Sequence, residues 1–372
     1  MKERKEHIYE CWLAMLAGVS DKKKILLREH MKSAEAVYYI EETQLQEMRF
    51  LNGRDCNTIM QAVRENPGER YETLCRKRIR VASYYEEEYP KRLRNIADPP
   101  YALYYKGKLP EETGYIAAIV GARQCTAYGE KYAYEYAEQM ARHQVQIISG
   151  LAKGIDGAGQ RGALSGGGQT FAVLGCGADI CYPREHIGLY SDILSQDGGI
   201  LSEFPPGTPP LPFHFPQRNR IISGLSDAVL VMEARKKSGS LITADLALEQ
   251  GKDVYALPGP ADSALSDGCN RLIRQGAAIL ISPEELLEEL GISGKQQEGE
   301  TRMKFLPDEE EKKKMLESHE NLVYSSLCLY PKSLNQIVEE TCLSAQEVVC
   351  SLVSLEIQGF AEEKSKNFYI RK

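Results

Sequence analysis

The sequence predicts an α/β protein: an extended, Rossmann-like, doubly wound parallel sheet, with a small helical N-terminal domain and a C-terminal winged-helix domain. From residue 115 onwards, short continuous apolar runs such as YIAAIV, VQIIS and DAVLVMEA alternate with amphipathic helical segments. That alternation is typical of parallel strands buried on both faces. Residues before 100 show helical periodicity, and the last segment contains three helical patterns followed by a hairpin pattern, which is the order of a winged helix.

Length and composition place the chain among ordinary globular proteins of several domains. Its 372 residues exceed one typical core, and 42% hydrophobic with 27% charged residues is an average globular composition. The predicted boundaries are 1–100 for the helical domain with its connector, 101–291 for the Rossmann domain, 292–316 for a polar, charge-dense linker and 317–372 for the winged helix.

Cysteine usage and hydropathy predict the compartment. The ten cysteines contain no C-x-x-C pair, as expected of buried thiols in a reducing cytoplasm. No apolar run approaches the roughly 20 residues of a membrane span. The six histidines are dispersed, whereas zinc sites need clustered ligands. We therefore expect a soluble, cytoplasmic protein with no membrane association, no metal and no cofactor.

The loops that follow the predicted strands share a composition. Ligands of an open parallel sheet bind beyond the carboxyl ends of its strands, so these loops are the candidate site. Glycines and basic residues recur in them. The loops are Gly121-Ala122-Arg123, the stretch from Ser149 to Asp156, Gly175-Cys176-Gly177 with the later Tyr182-Pro183-Arg184, and the stretch from Arg235 to Ser240.

This composition favours a ligand with several phosphates. Glycine lets a ligand approach the backbone, and amides at a helix N-terminus attract anions. Arg123, Lys153, Arg184 and Arg218 follow turns at the same predicted edge, which predicts one positive track and hence a polynucleotide. The net charge of -7 does not exclude this partner, because a polyanion responds to local charge. Aromatic residues that could stack on unpaired bases are Tyr128, Tyr182 and Phe213.

Other motifs limit the alternatives. Gly121-Ala122-Arg123, directly after the first strand, is not the G-x-G-x-x-G fingerprint, and GxxxxGK[ST] is absent from the sequence. Both observations disfavour a dinucleotide cofactor and a P-loop motor. Read as a helix, HFPQRNRIISGLS puts Arg218 on the apolar stripe, at the rim of the crevice, and Arg220 on the opposite side, where a solvated charge or a subunit contact is an equal interpretation. Asp156 is expected to be a helix N-cap. No nucleophile with a base is found, so we predict no catalytic residues.

At these residues the sequence resembles the DNA-processing protein A family (DprA, also called Smf). The resemblance covers about 115–285, through IVGARQCTAYG, SGLAKGIDGAGQRGAL, FAVLGCGADICYPREH, FPQRNR and SDGCNRLIRQGA. It implies an extended Rossmann domain that binds single-stranded DNA without catalysis, forms homodimers and loads the recombinase RecA during natural transformation. The predicted DNA-binding residues are Gly121, Arg123, Ser149, Gly150, Lys153, Arg184, Arg218, Asn219, Arg220, Gly239 and Ser240.

Two departures and one alternative qualify this interpretation. Gln160 stands where the family often has histidine. The would-be recognition helix, SAQEVVCSLVSLEIQG, contains no Lys or Arg, the usual donors for major-groove readout, so this module is predicted to bind protein, or DNA only weakly. The alternative is a nucleotide-processing enzyme resembling nucleoside-phosphate hydrolases. Their P-G-G-x-G-T motif is replaced here by Pro258-Gly259-Pro260 in another context.

Overall fold

The computed structural model describes residues 2–292, 318–328, 330–341 and 343–371. The chain divides into two compact units. The first takes in the described residues of 1–125 and 132–293, and the second takes in 126–131 with the described residues of 294–372. Almost all of the predicted linker, 292–316, lies outside the described residues. Within these ranges, no helix is both long enough and apolar enough to cross a membrane.

The first unit begins with helices that pack beside the sheet. The side chains of Asn52 and Asn66 cap the fifth and sixth of these helices by accepting hydrogen bonds from backbone amides of the first turn. Trp12, Leu27 and Ile59 are fully buried in a cluster that also contains residues of the sheet. The helices are α1 (Lys2–Ala14), α2 (Asp21–Met31), α3 (Ala34–Tyr38), α4 (Glu42–Glu47), α5 (Gly53–Ala62) and α6 (Pro67–Arg76).

A nine-stranded sheet forms the centre of this unit, in the order β1-β2-β6-β5-β4-β3-β7-β8-β9. The second strand is antiparallel to both of its neighbours, and every pair from β6 to β9 is parallel. The predicted mixed α/β fold with a largely parallel sheet is confirmed. The strands are β1 (Arg80–Ser83), β2 (Ala102–Gly107), β3 (Ile116–Val120), β4 (Gln146–Ser149), β5 (Thr170–Leu174), β6 (Gly199–Ser202), β7 (Ala228–Val231), β8 (Asp253–Ala256) and β9 (Ala278–Ile279).

Both faces of the parallel strands are buried. Phe171 and Val173 of β5 belong to one apolar cluster, whereas Ala172 and Leu174 belong to the other, as the two-residue period of a strand requires. The connecting helices are α7 (Lys91–Arg94), α8 (Ala127–Arg142), α9 (Ile155–Ser165), α10 (Ile187–Ser195), α11 (His214–Leu225), α12 (Gly239–Glu249), α13 (Asp267–Arg274) and α14 (Pro283–Glu289).

The strand order reverses at β3. Strands β4 to β6 lie on one side of β3, and β7 to β9 lie on the other. At such a switch point, the loops that follow the two central strands diverge and leave a crevice between them. The crevice therefore lies between the loop after Val120 and the loop after Val231.

The second unit has its own small core. Val323, Ile337, Val348 and Leu352 are fully buried in it. Ser344 and Glu347 form a capping box that begins its longest described helix. Its elements are α15 (Ser318–Ser326), β10 (Lys332–Ser333), α16 (Leu334–Thr341), α17 (Ala345–Ile357), β11 (Ala361–Ser365) and β12 (Phe368–Arg371), with the strands antiparallel in the order β10-β12-β11.

Candidate nucleic-acid interface

A cleft of about 510 Å³ lies at the crevice of the parallel sheet. The loops after β3, β4 and β7 contribute to it, together with the first turns of α11 and α12. Their convergence follows from the switch point, because these strands end at the same edge. The residues that line the cleft include Gly121, Arg123, Ala152, Asp156, Tyr182, Phe215, Arg218, Asn219, Lys237, Ser238, Gly239, Ser240 and Thr243.

The floor of the cleft is held by a buried arginine and a buried aspartate that both bind Gly150. Nη1 of Arg218 donates to the carbonyl of Gly150 at 2.9 Å and also to the carbonyl of Val173. The carboxylate of Asp156 accepts the amides of Gly150 at 3.0 Å and Ala152 at 3.4 Å. A Cβ on Gly150 would lie only 2.5 Å from the guanidinium, so a side chain here would displace Arg218.

Burial dominates the electrostatics of this pair. Arg218 is only 4% exposed, and burial lowers its pKa to about 10, against the attraction of the Asp156 carboxylate, while Arg123 lowers it further. The guanidinium remains protonated at neutral pH. Burial raises the pKa of Asp156, opposed by Arg218 and by the two amides. Each group's charge favours the ionised form of the other.

Two expectations about these residues need correction. Arg218 was expected at the rim, but its buried guanidinium forms part of the floor. The expectation that Asp156 is an N-cap is wrong, because Asp156 is the second residue of α9 and its carboxylate turns back to the preceding loop.

Three exposed cations lie above this floor. Arg123 places its guanidinium carbon 5.0 Å from the ring centre of Phe215. Arg123, Lys153 and Lys237 together line a second cavity, of about 390 Å³. Nζ of Lys153 contacts the Glu185 carboxylate at 2.6 Å, and this contact lowers the pKa of Glu185. These side chains reach solvent, so a ligand can bind them without unfolding the loops.

The N-terminus of α12 faces the same cleft. Ser238 caps the helix by accepting the amide of Ser240. Asn219 donates from Nδ2 to the carbonyl of Gly239 at 3.2 Å, which ties α12 to α11. The positive end of the helix dipole therefore faces the cleft, an arrangement that favours negative charge there.

Aromatic rings border the cleft. Tyr182 and Phe215 have ring centres 5.6 Å apart with planes tilted by 37°. Tyr182 is 42% exposed and Phe213, on the neighbouring turn, is 58% exposed. Exposed rings beside cations are suited to stacking on planar ligands. Phe213 and Tyr128 are not among the residues that line the cleft.

The remaining predicted residues lie elsewhere. Ser149 is buried and donates to the carbonyl of Ile119 at 2.6 Å, which links β4 to β3. Arg184 is exposed, two residues from Tyr182, and is not among the lining residues. Arg220 binds both oxygens of Glu203, at 2.9 and 2.7 Å, and lies 3.3 Å from Asp98. Burial opposes its charge, yet these carboxylates raise the pKa of Arg220.

Lining residues that the sequence did not indicate as DNA-binding include Phe215, Lys237 and Thr243. Lys237 belongs to the candidate loop from Arg235 to Ser240, and its position directly before the cap of α12 is the signal that could have identified it. Phe215 and Thr243 carry no such signal, because a phenylalanine or threonine inside a helical pattern is usually a packing residue.

The fold and the cleft define a class: an α/β protein with a cationic, glycine-lined cleft at the switch point of a parallel sheet. Residues 80–291, more than half of the chain, match the family model described as DNA recombination-mediator protein A. The chain belongs to this family, the DprA/Smf family, as the sequence motifs predicted.

Individual relatives agree with this assignment. Protein Smf of Escherichia coli is 48% identical over 204 residues, which are 55% of this chain and 54% of the relative, so the match spans about half of that protein. DNA processing protein DprA of Streptococcus pneumoniae is 45% identical over 207 residues, 56% of this chain and 73% of the relative.

Solved structures show the same fold. DNA processing protein A from Streptococcus pneumoniae matches with a TM-score of 0.66 and 35% identity, over 76% of this chain and 97% of that chain. DNA processing protein A from Helicobacter pylori, whose structure concerns its single-stranded DNA binding mode, matches with a TM-score of 0.52 and 31% identity, over 57% of this chain and 97% of that chain.

Arg218→Ala is expected to lower the free energy of unfolding by about 3 kcal/mol, because it leaves the buried Asp156 charge and two carbonyls without their partner. Arg123→Ala removes an exposed side chain and should change this free energy by less than about 0.5 kcal/mol. Urea denaturation of both variants measures the difference. Equal stability of the two variants would contradict a structural role for Arg218.

Proposed function

We propose that this protein binds single-stranded DNA in the cleft, protects incoming DNA and helps to load a RecA-type recombinase onto it during natural transformation. The observation that carries the proposal is the grouping of Arg123, Lys153, Lys237 and the N-terminus of α12 around the cleft and the second cavity, which share Arg123, Lys237 and Ser238. The DNA-processing relatives, and the single-stranded DNA binding mode of the Helicobacter pylori protein, support it.

The aromatic border favours single strands over duplex. Bases of a single strand can leave their neighbours and stack on Tyr182 or Phe213, which are both exposed. Duplex bases are already stacked and paired, so only their phosphates would be available. Phosphate contacts and stacking carry little sequence information, and binding is therefore expected to be nearly independent of sequence and strongly dependent on salt.

The predicted DNA-binding residues fall into two proposed roles. Direct contacts come from Gly121, Arg123, Lys153, Asn219, Gly239 and Ser240, with Arg184 further along the strand. Support comes from Ser149, Gly150, Arg218 and Arg220, whose backbone or side chains hold the loops in place. The proposed phosphate sites are the loops that carry the first set.

A binding role without catalysis is favoured by the state of two carboxylates. Asp156 accepts two backbone amides, and Glu203 binds the guanidinium of Arg220 through both oxygens. A general base needs an accessible lone pair directed at the substrate. Oδ2 of Asp156 and both oxygens of Glu203 are already engaged, which is unfavourable for the alternative of a nucleoside-phosphate hydrolase.

The domain assignments are part of the proposal. We assign residues 1–100 to a helical domain with its connector, 101–291 to the Rossmann domain, 292–316 to a linker and 317–372 to a winged helix. The order α15, β10, α16, α17 and the β11–β12 hairpin supports the last assignment. The recombinase partner and the cytoplasmic location are proposed from the family resemblance alone.

A homodimer through the β9 edge of the sheet is also proposed. Ile279 and Ile281 are 47% and 62% exposed at this edge. Unpaired edge strands with apolar side chains are templates for association with another chain. The edge belongs to the segment GCNRLIRQGAAILI, whose last residues form a continuous apolar run.

Arg123→Ala is expected to weaken binding of a fluorescent oligothymidine at least tenfold and to reduce the slope of log affinity against log salt by about one. Fluorescence anisotropy at several salt concentrations measures both. Arg142→Ala, which removes an exposed arginine of α8, is the matched control and should have no effect. Unchanged binding by Arg123→Ala, or tighter binding to duplex than to single strands, would refute the proposed site.

Glu185→Gln is expected to strengthen the same binding about twofold to fivefold at low salt, because Lys153 no longer has a competing carboxylate. The gain should disappear at high salt, where exposed charges are screened. Glu138→Gln, which alters an ion pair on α8, serves as control. Weaker binding by Glu185→Gln would show that Glu185 supports the site rather than competing for Lys153.

Ile281→Glu is expected to convert a dimer into a monomer, since a charge cannot be buried unpaired in an apolar contact. Sedimentation velocity measures the mass. Ile187→Glu alters a residue of α10 that is 60% exposed and should leave the mass unchanged. A dimer that survives Ile281→Glu excludes this edge as the interface.

A further inference from the structure

We propose that the outer face of α17 is a docking surface for an amphipathic helix that carries basic residues, supplied by a partner protein. The surface consists of Val349, Cys350, Val353 and Ile357, and we call it the α17 seam. The three aliphatic side chains are 40%, 50% and 82% exposed, and Cys350 is exposed as well. This proposal does not depend on the DNA-binding cleft.

The seam is opposite the face that holds the second unit together. Val348, Leu352 and Leu355 are fully buried at three- and four-residue spacing, so the core of the unit is already complete on that side. Val349, Val353 and Ile357 repeat every four residues on the other side. Apolar residues at such spacing, exposed over more than two turns in the part of the chain that the structure describes, form the kind of stripe against which another helix packs.

Charge decides which partner fits. At 100° per residue, Glu347 and Glu356 lie on opposite flanks of the seam, and α17 contains no Lys or Arg. Elsewhere in the unit, Lys332 is paired with Glu340 and Lys364 with Glu362. A nucleic acid would meet an apolar and acidic surface, which phosphates avoid. A second copy of α17 would oppose glutamate to glutamate.

A helix with lysines or arginines on both flanks satisfies both features. Its apolar residues would cover the valines and Ile357, and its cations would lie opposite Glu347 and Glu356. Acidic flanks beside an apolar stripe select such partners in the way that flanking charges select coiled-coil partners.

Two synthetic amphipathic peptides test the proposal with the full-length chain. Both have leucines at three- and four-residue spacing; one has lysines on the flanks and the other has glutamates. Fluorescence anisotropy should show saturable binding of the lysine peptide and at least tenfold weaker binding of the glutamate peptide at low salt. Failure of both peptides to bind, or equal binding of both, would overturn the proposal.

Variants then locate the contact. Val353→Ser should weaken binding of the lysine peptide at least tenfold, whereas Val353→Leu should preserve it. Ile187→Ser, which alters an exposed apolar residue of the first unit, should leave peptide binding unchanged. Thermal melting confirms that the variants are folded. Unchanged peptide binding by Val353→Ser would show that the seam does not bind such a helix. A reduced mass in sedimentation velocity would show that the seam binds a second copy of the chain, and weaker binding to duplex DNA would show that it binds nucleic acid. Each of these three results would overturn the proposal.

Discussion

The cleft depends on one buried cation. Backbone carbonyls at the carboxyl ends of parallel strands point towards the crevice, and those of Val173 and Gly150 receive their donors from Arg218. A buried guanidinium is costly unless a negative charge lies nearby, and Asp156 supplies that charge while binding the amide of Gly150. Arg218 and Asp156 thus provide the hydrogen-bond partners that the backbone groups of the floor need. Arg123 and Lys237 are not required for these bonds, and their side chains remain exposed to a ligand.

The sheet and its loops were predictable because they follow from simple periodicity. Continuous apolar runs such as YIAAIV and DAVLVMEA correspond to β3 and β7 with their flanking residues, and the loops after them contain the glycines and cations that line the cleft. The depth of Arg218 was not predictable. A helical pattern fixes the direction of a side chain, whereas burial depends on how closely α11 approaches the ends of β4 and β5.

In the motif FPQRNR, the sequence also could not predict which partners three neighbouring residues contact. Successive residues of a helix differ by about 100°, so Arg218, Asn219 and Arg220 must face three directions. The structure gives each a different partner: the strand ends, the carbonyl of Gly239 and the carboxylate of Glu203. These partners are distant along the chain, and no local spacing in the sequence identifies them. The roles of these three residues therefore follow from their tertiary contacts and not from the motif itself.

The distribution of charge explains how an acidic chain can offer a site for a polyanion. At physiological salt, exposed charges more than about 8–10 Å apart hardly influence each other. The net charge of -7 is a sum over the whole surface, whereas a bound strand would interact only with the charges close to it. In the cleft, Arg123 and Lys237 are exposed beside a helix N-terminus. In the second unit, Lys332 and Lys364 are paired with glutamates. The proposed phosphate sites therefore lie in the cleft, and the apolar seam of α17 is proposed for a different kind of partner.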